Sequence, residues 1–137
     1  MPERIFIDTA FVIALINKRD RYHKQARTLA DRYDDQPMLI TDAVLLEIGN
    51  ALARGFKPEA AELIAQFLAS DEVKIVRLSP SLFDEAFAMY RDYQDKEWSL
   101  VDCVSFVVMQ REKIIQALTF DQHFAQAGFE VLIGERQ

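Results

Sequence analysis

The stretch RIFIDTAFVIAL, residues 4–15, holds one acid between two apolar runs. Residues 5–7 are typical of a buried strand, and residues 11–15 are typical of a buried helix. Asp8 lies at the joint, where a buried carboxylate is costly unless it is paired or binds a metal ion. The stretch therefore predicts a strand that leads directly into a helix, with a carboxylate at the joint that requires a partner.

The same alternation of short apolar strands and longer helices continues along the chain. The predicted strands are 4–7, 38–40, 73–76, 115–118 and 130–132, and the predicted helices are 9–17, 22–33, 42–54, 58–69, 81–93, 100–112 and 121–127. The strands lack a clean two-residue alternation, which is typical of a parallel sheet covered on both faces. We expect an α/β fold, a three-layer α/β/α sandwich with a mostly parallel, short-stranded central sheet. Ligands of such folds bind at the carboxyl ends of the strands.

Length and composition indicate one globular domain over residues 1–137, half of whose residues are hydrophobic and 28% charged. The single cysteine, Cys103, excludes an internal disulfide and an all-cysteine metal site. No apolar run approaches the ~18 residues of a membrane span, and residues 2–4 lead into the first strand without a signal peptide. We therefore expect a cytoplasmic protein with no membrane partner.

The charge is unevenly distributed. The net charge of −6 does not favour nucleic-acid binding. Residues 17–27, however, contain five basic residues and one acid, which gives +4 there and −10 over the remainder. This segment is either a solvated helix face or a surface that contacts phosphates.

Four acids are predicted near one edge of the sheet. Asp8 and Asp121 each follow a strand and precede a helix, Asp102 lies in the first turn of a nearly all-apolar helix, and Glu47 lies in the helix after the second strand. Each also has a structural interpretation. Asp8 and Asp121 can act as helix N-caps, residues 99–102 have the S-x-x-D form of a capping box, and Glu47 can be an exposed helical residue.

Together the four acids favour a metal site, because no lysine or arginine is adjacent in sequence to the three aspartates. Oxygen ligands select Mg²⁺ or Mn²⁺. His23 and His123 are too few and too scattered for a zinc site, and we expect His123 on a helix surface. Carboxylate-bound Mg²⁺ acts mostly on phosphates, so the predicted chemistry is phosphodiester hydrolysis.

Four segments, IFIDTAFVIAL, TDAVLLEIGNAL, WSLVDCVSFVVM and ALTFDQHFAQAGFEVL, resemble the acidic motifs of PIN-domain ribonucleases, and more narrowly those of VapC-type toxins. The resemblance runs in order over nearly the whole chain. It implies a PIN-like fold and a Mg²⁺- or Mn²⁺-dependent endoribonuclease that is the toxin of a type II toxin–antitoxin pair. It also implies an RNA substrate, a cognate antitoxin and a homodimer.

Carried over by position, the resemblance gives every site residue a role. The catalytic and metal-binding acids would be Asp8, Glu47, Asp102 and Asp121, and the supporting polar residues would be Thr9, Asn50, Ser99 and Thr119. Ala10 departs from the pattern, because many members carry a Ser or Thr hydroxyl there; Thr9 supplies a neighbouring hydroxyl. Arg54 and Lys57 are candidates for holding phosphates, the alternative being a solvated helix end.

Other classes of protein also place acids at the ends of strands. A phosphotransferase of the haloacid dehalogenase type needs a second Asp where this chain has Ala10, and a receiver domain needs a lysine beyond a late strand, which ALTFDQHF does not offer. A housekeeping RNA-processing nuclease and a non-catalytic PIN-like binding module stay open. The short chain, with no appended RNA-binding domain, favours a stand-alone toxin.

Overall fold

The computed structural model describes residues 3–133, which form a five-stranded sheet and seven helices. In chain order the elements are β1 (Ile5–Ile7), α1 (Thr9–Ile16), α2 (His23–Arg32), β2 (Met38–Thr41), α3 (Asp42–Ala51), α4 (Lys57–Ala69), β3 (Val73–Val76), α5 (Pro80–Asp92), α6 (Leu100–Glu112), β4 (Gln116–Leu118), α7 (His123–Gln126) and β5 (Glu130–Val131). The strand order is β3-β2-β1-β4-β5, and every neighbouring pair is parallel. The predicted three-layer sandwich is confirmed.

The bounds of two helices differ from those that the sequence predicts. The predicted helix 42–54 ends at Ala51, with Leu52 as its C-cap. Gly55 follows with a φ of +91°, a left-handed conformation that Gly adopts without strain. The predicted helix 121–127 is only α7, because Asp121 lies outside it and its side chain accepts a hydrogen bond from the His123 N–H.

The core lies around the two central strands and helix α6. All three residues of β1 are buried, as an apolar strand in the middle of a parallel sheet requires. Helix α6 is buried along Asp102–Met109 and packs against α5 and α3. Its predicted capping box is present: the Ser99 side chain accepts from the Asp102 N–H, and the Asp102 carboxylate accepts from the Ser99 N–H. The capping box fixes a carboxylate in the first turn of a buried helix.

The strand order creates a crevice between β1 and β4. The chain leaves β1 for β2 and β3 on one side, then crosses to β4 on the other side. In open parallel sheets, ligands bind outside the carboxyl ends of the strands at such a reversal of strand order. The Asp8 N–H donates to the Leu118 carbonyl (3.1 Å), so Asp8 and Thr119 emerge side by side at this crevice.

No helix within residues 3–133 is both long enough and apolar enough to cross a lipid bilayer.

Candidate active site

A buried hydroxyl joins two of the predicted acids at the crevice. Thr119 is fully buried; its Oγ1 donates to Asp8 Oδ2 (2.7 Å) and accepts from the Asp121 N–H (2.9 Å). The two contacts use both the donor and the acceptor capacity of one hydroxyl. The end of β4 therefore fixes the positions of Asp8 and Asp121 relative to each other.

His123 joins the other two aspartates. Its Nδ1 lies 2.9 Å from Asp102 Oδ2 and 3.2 Å from Asp121 Oδ1. Because an ionised carboxylate only accepts hydrogen bonds, Nδ1 donates in this contact, and it would have to release that proton to bind a metal ion. Asp102 Oδ2 also accepts from the Ser99 N–H (3.0 Å). The helix cap and the histidine thus orient the Asp102 carboxylate together.

Glu47 reaches the site from α3. Its Oε1 accepts from Thr9 Oγ1 (2.6 Å), and Thr9 is the first residue of α1, directly after Asp8. The predicted exposed-helix interpretation of Glu47 is therefore wrong, because its side chain is half-buried and hydrogen-bonded. One network of hydrogen bonds now holds three aspartates, and the Thr9 hydroxyl attaches the fourth acid beside it.

The electrostatics of the site are unfavourable without a cation. Burial raises the pKa of Asp8 from 3.8 to about 7; the hydrogen bonds from Thr119 and the Thr9 backbone lower it, and the charges of Asp102 and Asp121 raise it further. Burial, followed by the same two charges, also raises the pKa of Glu47, while the Thr9 hydroxyl lowers it. The charged groups that act on Asp8 and Glu47 are thus acids themselves, which is the setting that a bound cation relieves.

Three residues of the site, without Asp8 and Glu47, lie close enough together to hold a divalent metal ion. One ligand atom each of Asp102, Asp121 and His123 lie within 4.8 Å of one another. Opposite ligands of a Mg²⁺ ion are roughly 4 Å apart, given metal–oxygen distances of about 2.1 Å. Carboxylate oxygens suit Mg²⁺ and Mn²⁺, and an imidazole nitrogen suits Mn²⁺ better than Mg²⁺.

The chain is similar to proteins of known family and structure. Residues 5–130 match the PIN domain family. The chain is 32% identical over 127 residues to the 23S rRNA-specific endonuclease VapC20 of two Mycobacterium tuberculosis strains, CDC 1551/Oshkosh and H37Rv, which covers 91% of this chain and 95% of the relative. The chain belongs to the PIN domain family.

Solved structures agree with this PIN domain assignment. A crystal structure of Mycobacterium tuberculosis VapC20, described as a sarcin-ricin loop cleaving toxin, superposes with a TM-score of 0.85 at 31% identity, over 94% of this chain and 98% of that one. A toxin–antitoxin complex from Klebsiella pneumoniae gives 0.66 at 13% identity, over 93% and 95%. The second likeness shows the fold alone.

The PIN domain brings together most of the residues predicted from sequence. Thr9, Ser99 and Thr119 each hydrogen-bond to one of the four acids. Asn50 is exposed and, within residues 3–133, has no side-chain hydrogen bond to any of them. The Thr9 hydroxyl does not replace the hydroxyl missing at Ala10 as a partner of Asp8, since it binds Glu47 and Thr119 serves Asp8.

Arg54 and Lys57 follow α3, and both are exposed. Neither forms a hydrogen bond or ion pair with the four acids in the described part of the chain. Their proposed contact with phosphates stays a prediction.

His123 is the residue of this PIN domain that sequence reasoning misplaced. The predicted helix-surface position is wrong, because its side chain is only 21% exposed and contacts two of the acids. The signal was its spacing: His123 follows Asp121 by two residues at the start of the short helix α7. Asp121 itself is not the N-cap of that helix, which is Gln122, although its carboxylate accepts from the His123 N–H.

Proposed function

We propose that this chain is a divalent-metal-dependent endoribonuclease and the toxin of a type II toxin–antitoxin pair. The observation that carries the proposal is the joining of Asp8, Asp102 and Asp121 through Thr119 and His123, with Glu47 attached beside them through Thr9, at the crevice between β1 and β4. A relative with the same fold, 32% identical over most of both chains, is named an endonuclease.

Asp8, Asp102 and Asp121 would hold Mg²⁺ or Mn²⁺, and Glu47 would complete the site. When bound, such an ion activates a water molecule and stabilises charge on the phosphate that is attacked. His123 is a further candidate ligand or orienting residue, because its Nδ1 is within contact distance of two of the carboxylates. The chemistry of the donors leaves Mg²⁺ and Mn²⁺ as the candidates to compare.

The protein's own groups then orient the reaction. Thr119 holds Asp8 in one orientation, and the cap of α6 does the same for Asp102. Glu47 is the candidate general base, because its raised pKa makes the carboxylate a better proton acceptor than an ordinary glutamate. Thr9 leaves Glu47 Oε2 available to a water molecule, since its hydroxyl binds Oε1.

The substrate that we propose is RNA, and ribosomal RNA of the large subunit is the first one to test. VapC20 is named as specific for 23S rRNA, and its crystal structure as that of a sarcin-ricin loop cleaving toxin. In the present chain, Arg54 and Lys57 are exposed cations that would hold phosphates as the strand enters the site.

The partners that we propose are an antitoxin and a second copy of the chain. Phe83, Phe87 and Tyr90 are between 41% and 46% exposed on α5, at spacings that place them on one helix face. Contiguous exposed apolar side chains of this kind mark interaction surfaces. We propose this α5 face for the homodimer; light scattering of wild type and Phe87→Glu checks it, with a monomeric wild type as the contradicting result.

The test of the activity uses purified ribosomes and the total RNA extracted from them. We expect cleavage at one or a few sites with Mg²⁺ or Mn²⁺, none with Asp8→Asn, and normal cleavage with the matched control Asp31→Asn, which makes the same chemical change at an exposed position on α2. Expression of the wild type, but not of Asp8→Asn, should arrest growth. Cleavage without growth arrest would favour a housekeeping nuclease, and RNA binding without cleavage a non-catalytic module.

A further inference from the structure

A cavity of about 660 Å³ opens beside Asp121, one of the four acids. It is lined by Ala10, Ile13, Asp20, Arg21, Tyr22, Phe120, Asp121 and Gln122. This volume lies within the range of roughly 300–1,000 Å³ that small-molecule sites occupy. Asp121 belongs both to the cavity wall and to the acidic network, so the cavity adjoins the network at this residue.

Aromatic rings form one wall of the cavity. The Phe120 and Tyr22 rings are stacked, with centroids 4.5 Å apart and planes inclined by 6°, and the guanidinium carbon of Arg21 lies 4.6 Å from the Tyr22 ring centre. On the interior side, the ring of buried Phe11 lies 6.2 Å from that of Phe120. Phe11, Phe120, Tyr22 and Arg21 thus form one column that runs from the core to an exposed cation. Phe120 and Tyr22, in the middle of the column, are half-buried.

The turn that carries Arg21 and Tyr22 is held in place. Asp20 Oδ1 accepts from the Tyr22 N–H (2.9 Å), and His23 Nδ1 lies 2.8 Å from the Ala14 carbonyl of α1. A second cavity of about 310 Å³ also has Tyr22 and Phe120 in its wall. The two rings therefore form a fixed support beneath Arg21, with open space beside it, as a preorganised binding site requires.

The chemistry of the wall favours one occupant. Aromatic faces and arginine planes are the surfaces on which unpaired bases of RNA stack. Arg21 belongs to the basic segment 17–27, whose charge of +4 complements a phosphate backbone. Ala10 contributes only a methyl group to the wall, so this departure from the family pattern leaves space and an apolar surface there.

We propose that the cavity is a nucleobase subsite. An unpaired base adjacent to the scissile phosphate stacks on the exposed guanidinium plane of Arg21, which the Tyr22 and Phe120 rings support from the other side. The inference rests on the proposed endoribonuclease function and adds a determinant of where the RNA is cut. Ala10, Arg21 and Tyr22 are then specificity-determining residues rather than parts of the acidic network.

The test compares two ligands that differ only by a base. Adenosine 5′-monophosphate and ribose 5-phosphate are titrated into the full-length ¹⁵N-labelled protein, and amide shifts of Ala10, Arg21 and Tyr22 are followed. We expect the nucleotide to bind about tenfold more tightly than the sugar phosphate, as one stacked base provides. Titration of the other three nucleoside monophosphates then ranks the bases.

Two variants keep the result interpretable. Ala10→Leu fills the cavity, and Arg21→Ala removes an exposed cation that is not part of the core. Each variant should lose most of the tenfold preference for the nucleotide over the sugar phosphate. Arg27→Ala is the matched control, because it removes the same charge from an exposed position of the same basic segment outside the cavity wall. It should bind the nucleotide as the wild type does.

Equal affinities for the nucleotide and the sugar phosphate, or an unchanged preference in Ala10→Leu and Arg21→Ala, would overturn the proposal. The binding test does not depend on cleavage, so failure of the base subsite is distinguishable from failure of the nuclease proposal. A wild type that cleaves RNA but shows no preference for the nucleotide would overturn the base subsite and leave the nuclease proposal standing.

Discussion

Replacing Asp8 by Asn should stabilise the metal-free protein at neutral and alkaline pH. The pKa of Asp8 rises from 3.8 to about 7, mainly because the side chain is buried and only 5% exposed. One pKa unit corresponds to about 1.4 kcal/mol, so the ionised carboxylate costs the folded state up to ~4 kcal/mol. Asn has a similar shape without the charge, and its carbonyl oxygen still accepts from the Thr119 hydroxyl.

The pH dependence has a definite sign. Well below pH 4 the carboxyl is protonated in both the folded and the unfolded chain, so Asp8 adds no penalty. Between about pH 4 and pH 7 the folded chain retains the proton that the unfolded chain has released, and the stability contributed by Asp8 therefore falls as the pH rises. Above pH 7 the penalty is complete. The advantage of Asp8→Asn over the wild type should grow across this window and then level off.

Urea unfolding in EDTA at pH 4.5, 6 and 8 measures this difference. The single tryptophan, Trp98, reports on folding because it is buried and packs against Tyr93 and Phe106, with ring centroids 5.1 Å away in each case. Exposed Asp31→Asn is the control and should show no such pH-dependent gain. Added Mn²⁺ at pH 8 should stabilise the wild type more than Asp8→Asn, because it binds only the folded protein. A difference between wild type and Asp8→Asn that is the same at pH 4.5 and pH 8 would refute the reasoning.

Three further predictions concern the same network. EDTA should stop RNA cleavage and excess Mn²⁺ should restore it; cleavage that persists in EDTA contradicts the metal requirement. Thr119→Val should destabilise the protein by about 1–3 kcal/mol and raise the pKa of Asp8 further, because Asp8 loses a donor and the Asp121 N–H loses its acceptor. Thr119→Ser should retain both hydrogen bonds. Unfolding and metal titrations at several pH values would show the difference. His123→Ala should weaken Mn²⁺ binding about tenfold or more in calorimetry, because Asp102 and Asp121 lose their shared contact; unchanged affinity would leave His123 a structural role only.

Local patterns were sufficient to predict most of the fold. The five apolar runs and the helical spacings between them gave each strand and helix to within a few residues, because apolar periodicity and short polar turns are local properties. The parallel arrangement followed from the absence of two-residue alternation in the strands. The predicted bounds of α3 and α7 differ from the structure, in which Leu52 is the C-cap of α3 and Asp121 lies ahead of α7 and accepts from the His123 N–H.

The partners of the acids were less accessible to sequence reasoning. The capping box at Ser99 and Asp102 was visible because it spans four residues. The contact of Asp8 with Thr119 spans 111 positions, and that of Asp102 with His123 spans 21. Such contacts exist only once β1 and β4 are neighbours and α7 packs beside α6.

The sequence by itself predicted that two acids follow strands and two lie in helices, and that all four approach one edge of the sheet. Only the tertiary structure decided how they are held, because hydrogen bonds of less than 3 Å depend on the relative placement of distant segments rather than on local preference. It placed His123 between two carboxylates, gave the Thr9 hydroxyl to Glu47, and opened the cavity beside Ala10. Burial is likewise a property of the assembled sheet, and it is the largest cause of the rise in the pKa of Asp8 to about 7.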